Sequence, residues 1–231
     1  AYRKRVIQLG EQPEMVFNVG AIGLDAVKKL KLLNKEEFEN SIGFKLKKRN
    51  VLITYHPVTL EKEAPIQTFE NILQALDELS ETGLIFTHAN SDKNGRVINK
   101  MITEYVEIHK DKAVAFKSLG QLRYLSALQF VDFVIGNSSS GILEVPAFCI
   151  PTINIGDRQK GRICNESVIN STNSLENIKK SITFALDKQF RETIQQQEML
   201  YGNGTAAEKI LKVIKEHTII SLKKSFYDIS Y

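Results

Sequence analysis

The stretch Phe130-Val131-Asp132-Phe133-Val134-Ile135-Gly136-Asn137-Ser138-Ser139-Ser140-Gly141 decides the fold. Its apolar half, Phe130 to Ile135, reads as a buried strand, and the segment that follows, Ile142 to Phe148, opens a helix whose first turn carries Glu144. A strand that ends in glycine and three hydroxyls and then enters a helix directs backbone N–H and side-chain O–H groups at one point, which suits a phosphate. Pro151 to Ile155 reads as another strand, ending at Gly156 and delivering Asp157-Arg158-Gln159-Lys160-Gly161-Arg162. Two strand ends therefore offer anion-binding chemistry.

Upstream of this stretch the hydrophobic period changes repeatedly. Val51 to Tyr55 is a strand that runs into His56-Pro57. Pro65 sits at a helix start, and Ile66, Phe69, Ile72, Leu73, Leu76 and Leu79 keep helical spacing until Gly83. Leu84 to Thr87 is the next strand, ending in His88-Ala89-Asn90-Ser91-Asp92, and Ile98, Met101, Ile102, Tyr105 and Val106 mark a helix. Ala113 to Phe116 is a third strand, followed by a helix from Leu119 to Leu128 that contains Tyr124. Five strands alternating with helices predict an α/β fold with a Rossmann-like, doubly wound parallel sheet. Ligands of such sheets bind at the carboxyl ends of the strands, which collects His56, Asn90, Ser138 to Ser140 and Arg158 on one edge.

Outside this region the signals are weaker. Val16 to Val19 and Gly20-Ala21-Ile22-Gly23 read as a strand-to-helix turn ahead of a helix from Leu24 to Leu33. The turn lacks the third glycine and the acidic strand end of a dinucleotide fingerprint. Asn34 to Asn50 reads as a linker or short helix, and beyond Val168-Ile169 the chain turns helical, with Leu175, Ile178, Ile182 and Ala185 on one face. Thr205 and Glu208 have capping-box spacing ahead of Ile210, Leu211 and Ile214. The tail from Thr218 to Tyr231 is a further amphipathic helix candidate. The expected division is 1–34, a remnant of a preceding domain, then 35–216, the sheet domain, and 217–231, a terminal helix crossing back.

Composition excludes several classes. With 231 residues, 42% apolar and 25% charged, the chain is an ordinary globular protein and neither disordered nor fibrous. A net charge of +4, with lysines interspersed among glutamates, gives no nucleic-acid stripe. No run is long and apolar enough for a membrane span, and no secretory signal is visible. Cys149 and Cys164 have no metal-ligand spacing, which fits a reducing cytoplasm. No His/Cys/Asp cluster calls for a catalytic metal, and no cofactor is expected. The chain opens on Ala1 without methionine, which raises the expectation of a missing N-terminal portion.

Each candidate residue has a plain reading beside the functional one. Serines cap helices as a matter of course, but three between two glycines favour phosphate binding. The loop is not a Walker loop, lacking Gly-Lys-Ser/Thr, and it is not a Gly-x-Ser-x-Gly elbow. Glu144 suits either a first-turn carboxylate or an acceptor for a ribose diol. Arg158 and Arg162 suit solvent or a phosphate. His56, held by the following proline, is structural or else donates to a leaving phosphate oxygen. Asn90 suits a base or sugar, and Asp92 a helix cap. His109 and His217 read as exposed.

The motif Gly136 to Pro146, with Ile153-Asn154-Ile155-Gly156-Asp157-Arg158-Gln159-Lys160-Gly161-Arg162, resembles the hydrolysing UDP-N-acetylglucosamine 2-epimerases that make N-acetylmannosamine for sialic-acid synthesis. Arg5 to Glu11, Val16 to Gly20, Tyr55 to Thr59 and Tyr201 to Gly204 add to the likeness, which covers nearly the whole chain. The resemblance implies the second domain of a glycosyltransferase-B-like, two-domain fold with its site in the cleft between domains. It places Ser138 and Ser139 on the diphosphate, Glu144 on the ribose, Tyr124 and Asn90 near the nucleotide, Arg158 in the same pocket, and His56 as the catalytic histidine at the diphosphate. The implied reaction eliminates UDP across the sugar C1–C2 bond and hydrates the resulting glycal. The family's carboxylates for that chemistry belong to the first domain, so the resemblance implies a UDP-binding half that is inactive alone. It leaves open UDP-N-acetylglucosamine or a UDP-diacetamido-trideoxy sugar, and it implies a homo-oligomer at full length. Alternatives are a sugar transferase of the same architecture or a regulatory nucleotide-sugar-binding module.

Overall fold

A computed structural model of the chain describes residues 1–58, 65–90, 94–217 and 223–229. Six strands form one sheet: β1 (Arg49–Thr54), β2 (Thr82–Thr87), β3 (Ala113–Phe116), β4 (Phe133–Gly136), β5 (Thr152–Ile155) and β6 (Val168–Ser171). They run parallel in the order β3-β2-β1-β4-β5-β6. This is the doubly wound, Rossmann-like order expected of the α/β class. Thr54 lies level with both Thr87 and Gly136, so the three central strands end together.

Parallel strands are buried on both faces and therefore appear as continuous apolar runs. Alternation sends Val51, Ile53, Leu84, Phe86, Phe133 and Ile135 to one face, where they pack with Phe69, Ile72, Ile98, Ile102, Ile178 and Ile182. Those partners come from the helices Pro65–Asp77, Gly95–Ile108 and Leu175–Ala185. Leu52, Ile85 and Val134 face the other way and are also buried.

Several boundaries differ from expectation, each for a visible reason. β6 makes a sixth strand where five were expected; it is a sheet edge, half-exposed, with polar Asn170 and Ser171 in place of an apolar run. Of the two readings of Asn34 to Asn50, linker or short helix, the structure has the helix, Lys35–Ile42, closed by a reciprocal capping box between Asn34 and Glu37, and its end leads into β1. The helix after Gly20 is shorter than expected, Gly23–Lys29, and Val16 to Val19 forms no strand. Gly20 is required by close backbone packing: a Cβ there would stand 2.9 Å from the Tyr201 carbonyl oxygen, and Ala21 N–H donates to that oxygen at 2.7 Å. The segment after the serines breaks in two, an α-helical turn Ser140–Leu143 and a 3-10 turn Val145–Phe148. Glu144 is the joint between them and not a first-turn carboxylate.

The chain divides into two compact units, Leu30–Leu200 and a smaller one made of Ala1–Lys29 with Tyr201–Tyr231. The helix Ala206–Glu216, which the sequence reading joined to the sheet domain, thus groups with the first residues of the chain. The expected capping box at its head does not form, because Thr205 donates to Asn203 and makes no cap bond. Asp25 does the capping instead, its two carboxylate oxygens accepting from Ala206 N–H at 2.9 Å and Ala207 N–H at 2.8 Å. In the tail, residues 223–229 have no helix; Tyr227 N–H donates to the Gly10 carbonyl, and Lys224 pairs with Glu11. The rest of the expected tail helix lies outside the described residues.

The hydrogen bond from Ala207 holds the Asp25 carboxyl below its ordinary range, against the opposing effect of burial, with Ala206, Lys29 and Lys28 adding to the lowering. A carboxyl with a depressed folded pKa stabilises the fold at pH values above the ordinary aspartate range, about pH 4, and loses that contribution as pH falls through its own lower value. Thermal unfolding of wild type and Asp25→Asn should therefore differ most near neutrality and converge on acidification below pH 4. A gap that does not change with pH would contradict the assigned cap.

Candidate functional site at the switch point of the sheet

The strand order reverses between β1 and β4, and the crevice outside their carboxyl ends is where doubly wound sheets bind ligands. β1 exits through Tyr55 into His56, and β4 through Gly136 into Asn137 and the serines. Gly136 has φ +143°, and a Cβ on it would lie 1.9 Å from the Thr54 carbonyl oxygen, so the two strand ends approach as closely as they do only with glycine there.

Asn137, 1% exposed, is the hub of the crevice. Its Oδ1 accepts from His56 N–H at 2.8 Å and its Nδ2 donates to the His56 carbonyl at 2.7 Å. Its own carbonyl accepts from Arg158 Nη1 at 2.9 Å and from Gln159 Nε2 at 2.8 Å. Asn90 N–H donates to His56 Nδ1 at 3.2 Å, which leaves the neutral ring's proton on Nε2. The ends of β1, β2, β4 and β5 are thereby linked, and they hold His56, Asn90, the serine loop and Arg158 on one edge.

The serines do less capping than their type suggests. Ser138 Oγ accepts from Ser140 N–H at 3.3 Å, and Ser140 Oγ donates to Tyr124 Oη at 2.5 Å. Ser139, at the head of the short helix, makes no side-chain cap bond. Among the described residues, the N–H groups of Ser138 and Ser139 have no acceptor. Burial, reinforced by the Glu144 charge and opposed by the Ser140 bond, pushes the Tyr124 phenol well above its ordinary range, so it stays protonated. Glu144 is half-buried, and its Oε2 is fully shielded without a hydrogen-bond partner. A buried carboxylate oxygen left unpaired costs desolvation energy until a donor arrives.

Arg162 is exposed and forms no side-chain bond to the loop among the described residues; it lines a cleft of about 830 Å³ with Val58, Asn154, Arg158, Asn170 and Asn173. His88 is half-buried, and burial, with the Lys117 charge, lowers its pKa. His109 is not simply exposed: its ring lies 4.3 Å from that of Tyr105. Thr59, Ser91 and Asp92 lie outside the described residues. The sequence gives no role to Asn137 or Gln159, and it groups Ser140 with the phosphate-binding serines, whereas the Ser140 hydroxyl is turned to Tyr124. An asparagine directly after a glycine-ended buried strand was the available signal for the first of these.

Known proteins resemble the chain along most of its length. The profile of the UDP-N-acetylglucosamine 2-epimerase family matches residues 1–215. The chain is 38% identical over 230 residues to the GDP/UDP-N,N'-diacetylbacillosamine 2-epimerase (hydrolyzing) of Campylobacter jejuni, a match that covers 99% of this chain and 59% of that protein. It is 35% identical over 234 residues to polysialic acid biosynthesis protein P7 of Escherichia coli, with 99% and 58% covered. The chain therefore spans about three-fifths of the length of these relatives. Among solved structures, the S. aureus MnaA-UDP co-structure superposes with TM-score 0.72 at 16% identity, covering 98% of this chain and 61% of that one. The UDP-GlcNAc 2-epimerase of Neisseria meningitidis bound to UDP-GlcNAc gives 0.69 at 16% identity, with 93% and 58% covered. At those identities the superpositions establish the shared fold. The chain belongs to the UDP-N-acetylglucosamine 2-epimerase family.

Proposed function

We propose that the switch-point crevice holds the UDP moiety of an N-acetylated UDP-sugar, and that the chain serves as the nucleotide-binding half of a hydrolysing 2-epimerase. The observation that carries this reading is the buried, unpartnered Glu144 Oε2, just beyond the serine loop whose leading N–H groups also lack acceptors. A ribose diol supplies donors to the first, and a diphosphate supplies acceptors to the second. Asn90 and the protonated Tyr124 border the nucleotide.

The chemistry follows from what these groups stabilise. In the elimination step the sugar C1–O bond breaks, UDP departs with the electron pair, and a base removes the proton from C2, leaving a C1=C2 double bond. Hydration then delivers a hydroxyl to C1 and a proton to the opposite face of C2, so that UDP-N-acetylglucosamine and water become UDP and N-acetylmannosamine. The developing charge on the diphosphate is met by the hydroxyls and N–H groups of Ser138 and Ser139 and by the Arg158 guanidinium. His56, with its proton on Nε2, donates to the departing oxygen. The base for C2 is assigned to the part of the longer relatives that this sequence does not represent, so the chain alone should bind UDP and release no sugar. One relative above is named for a diacetylbacillosamine nucleotide and the other for polysialic acid biosynthesis, and a diacetamido-trideoxy sugar is compatible with the same nucleotide site. Residence in the cytoplasm and assembly into a homo-oligomer belong to this same reading; among the described residues no helix is long and apolar enough to cross a membrane.

Isothermal titration tests the site. UDP should bind at one site, and Ser139→Ala should weaken it about tenfold, the scale of one hydrogen bond to a charged group. Equal affinity in the two proteins would remove Ser139 from the diphosphate site.

A further inference from the structure

We infer that Asn137 is the positioning residue of this site: it sets His56 and Arg158 against the diphosphate without touching the ligand's base or sugar. The inference rests on the UDP reading above for its ligand, and on geometry alone for its mechanism. Asn137 uses every polar atom it has. Backbone N–H binds the Thr54 carbonyl at 3.1 Å, the side-chain amide makes the reciprocal pair with the backbone of His56, and the carbonyl takes both Arg158 and Gln159.

Such saturation has a specific consequence. His56 follows the last residues of β1, where ladder bonds no longer hold the chain, and a peptide there would otherwise sample several conformations. The paired bonds from Asn137 fix both its N–H and its C=O. With the backbone fixed, the ring points where Asn90 N–H reaches Nδ1, and that bond selects the Nε2–H tautomer. On the other side, Arg158 is exposed and long, and ordering it costs side-chain entropy. Its bond to the Asn137 carbonyl meets part of that cost before any ligand arrives. Gln159 shares the same carbonyl from a position only 4% exposed, and so anchors the loop that carries Arg158. One buried amide thereby spaces the proton donor and the cation, which enter from β1 and β5 on either side of the serine loop.

The alternative is that Asn137 merely holds the sheet together, in which case its removal weakens all binding in parallel. Chemical-shift titration of the full chain with UDP and with uridine separates the two. In Asn137→Ala the Kd for UDP should rise at least tenfold while that for uridine changes less than twofold, so the gain conferred by the diphosphate collapses. The ring nitrogens of His56, observed by long-range 15N correlation without ligand, should move from the Nε2–H pattern toward a mixture of tautomers. Gln159→Met keeps the volume, removes the donor to the Asn137 carbonyl, and should raise the Kd for UDP about threefold with uridine again unchanged; it carries the comparison if Asn137→Ala does not fold. Parallel losses for UDP and uridine, or a tenfold loss for UDP with an unchanged His56 tautomer, would overturn the positioning role. If the wild type binds no UDP, the functional reading falls, and the ligand-free His56 spectrum still decides this one: an unchanged tautomer in Asn137→Ala overturns it.

Discussion

Gly136→Ala should destabilise the sheet unit by about 3 kcal/mol or more, the sum of roughly 1–3 kcal/mol for an unfavourable backbone and a similar cost for forced repacking. The expectation follows from two independent constraints at one residue. Its φ of +143° is a region that L side chains rarely adopt, and the added Cβ would overlap the Thr54 carbonyl oxygen at 1.9 Å. Relief is hard to find, because Thr54 is itself fixed by its neighbours. Its hydroxyl bonds to that of Thr87 at 2.6 Å, and its carbonyl accepts from Asn137 N–H at 3.1 Å. Urea unfolding is the measurement: the midpoint should fall steeply with an unchanged slope. Since the clash separates β1 from β4, any protein that folds should also lose UDP binding. A midpoint close to wild type would mean that the strand ends can part without cost, and the close approach at the crevice would then be incidental.

Glu144→Gln should weaken UDP by ten- to a hundredfold, equivalent to ~1.5–3 kcal/mol for a hydrogen bond to a charged group in a shielded site. The loss should depend on the sugar. Wild type should prefer UDP over its 2′-deoxy and 3′-deoxy analogues, and the variant should show little preference, because the carboxylate proposed to accept from the diol is gone. Folding should suffer little, since in the free protein Glu144 Oε2 has no partner to lose. A variant that keeps full discrimination between ribose and deoxyribose would transfer that role to another residue.

Much of this architecture was legible because parallel strands advertise themselves. β1, β2, β4 and β5 are buried along nearly their whole length, and their residues form apolar runs bounded by glycine, histidine or proline. β6 escaped for the converse reason: an edge strand with Asn154 Nδ2 bonded to Asn170 Oδ1 needs no apolar signature. A capping box forms between Asn34 and Glu37, neighbours in sequence that the sequence analysis does not single out, and the one expected at Thr205 fails because a carboxylate 181 residues away in sequence takes the helix N–H groups.

The site shows the same division. His56, Asn90, the serines and Arg158 could be gathered on one edge by the rule that ligands sit at strand carboxyl ends. What links them could not, because the bonds from Asn137 reach His56 across 81 positions of sequence and Arg158 across 21. Glu144 was placed in a first helical turn by spacing alone. The proline at 146 and the change to a 3-10 turn put it instead at a joint, where its carboxylate is shielded.

The most direct test of the central claim is a crystal structure of the chain with UDP at saturating concentration. The diphosphate should lie within hydrogen-bond distance of the Ser138 and Ser139 hydroxyls with His56 Nε2 and Arg158 beside it, and the ribose hydroxyls should bond to Glu144. Density for UDP elsewhere, for example in the cleft lined by Arg162 and Asn173, or an empty switch-point crevice, would contradict it.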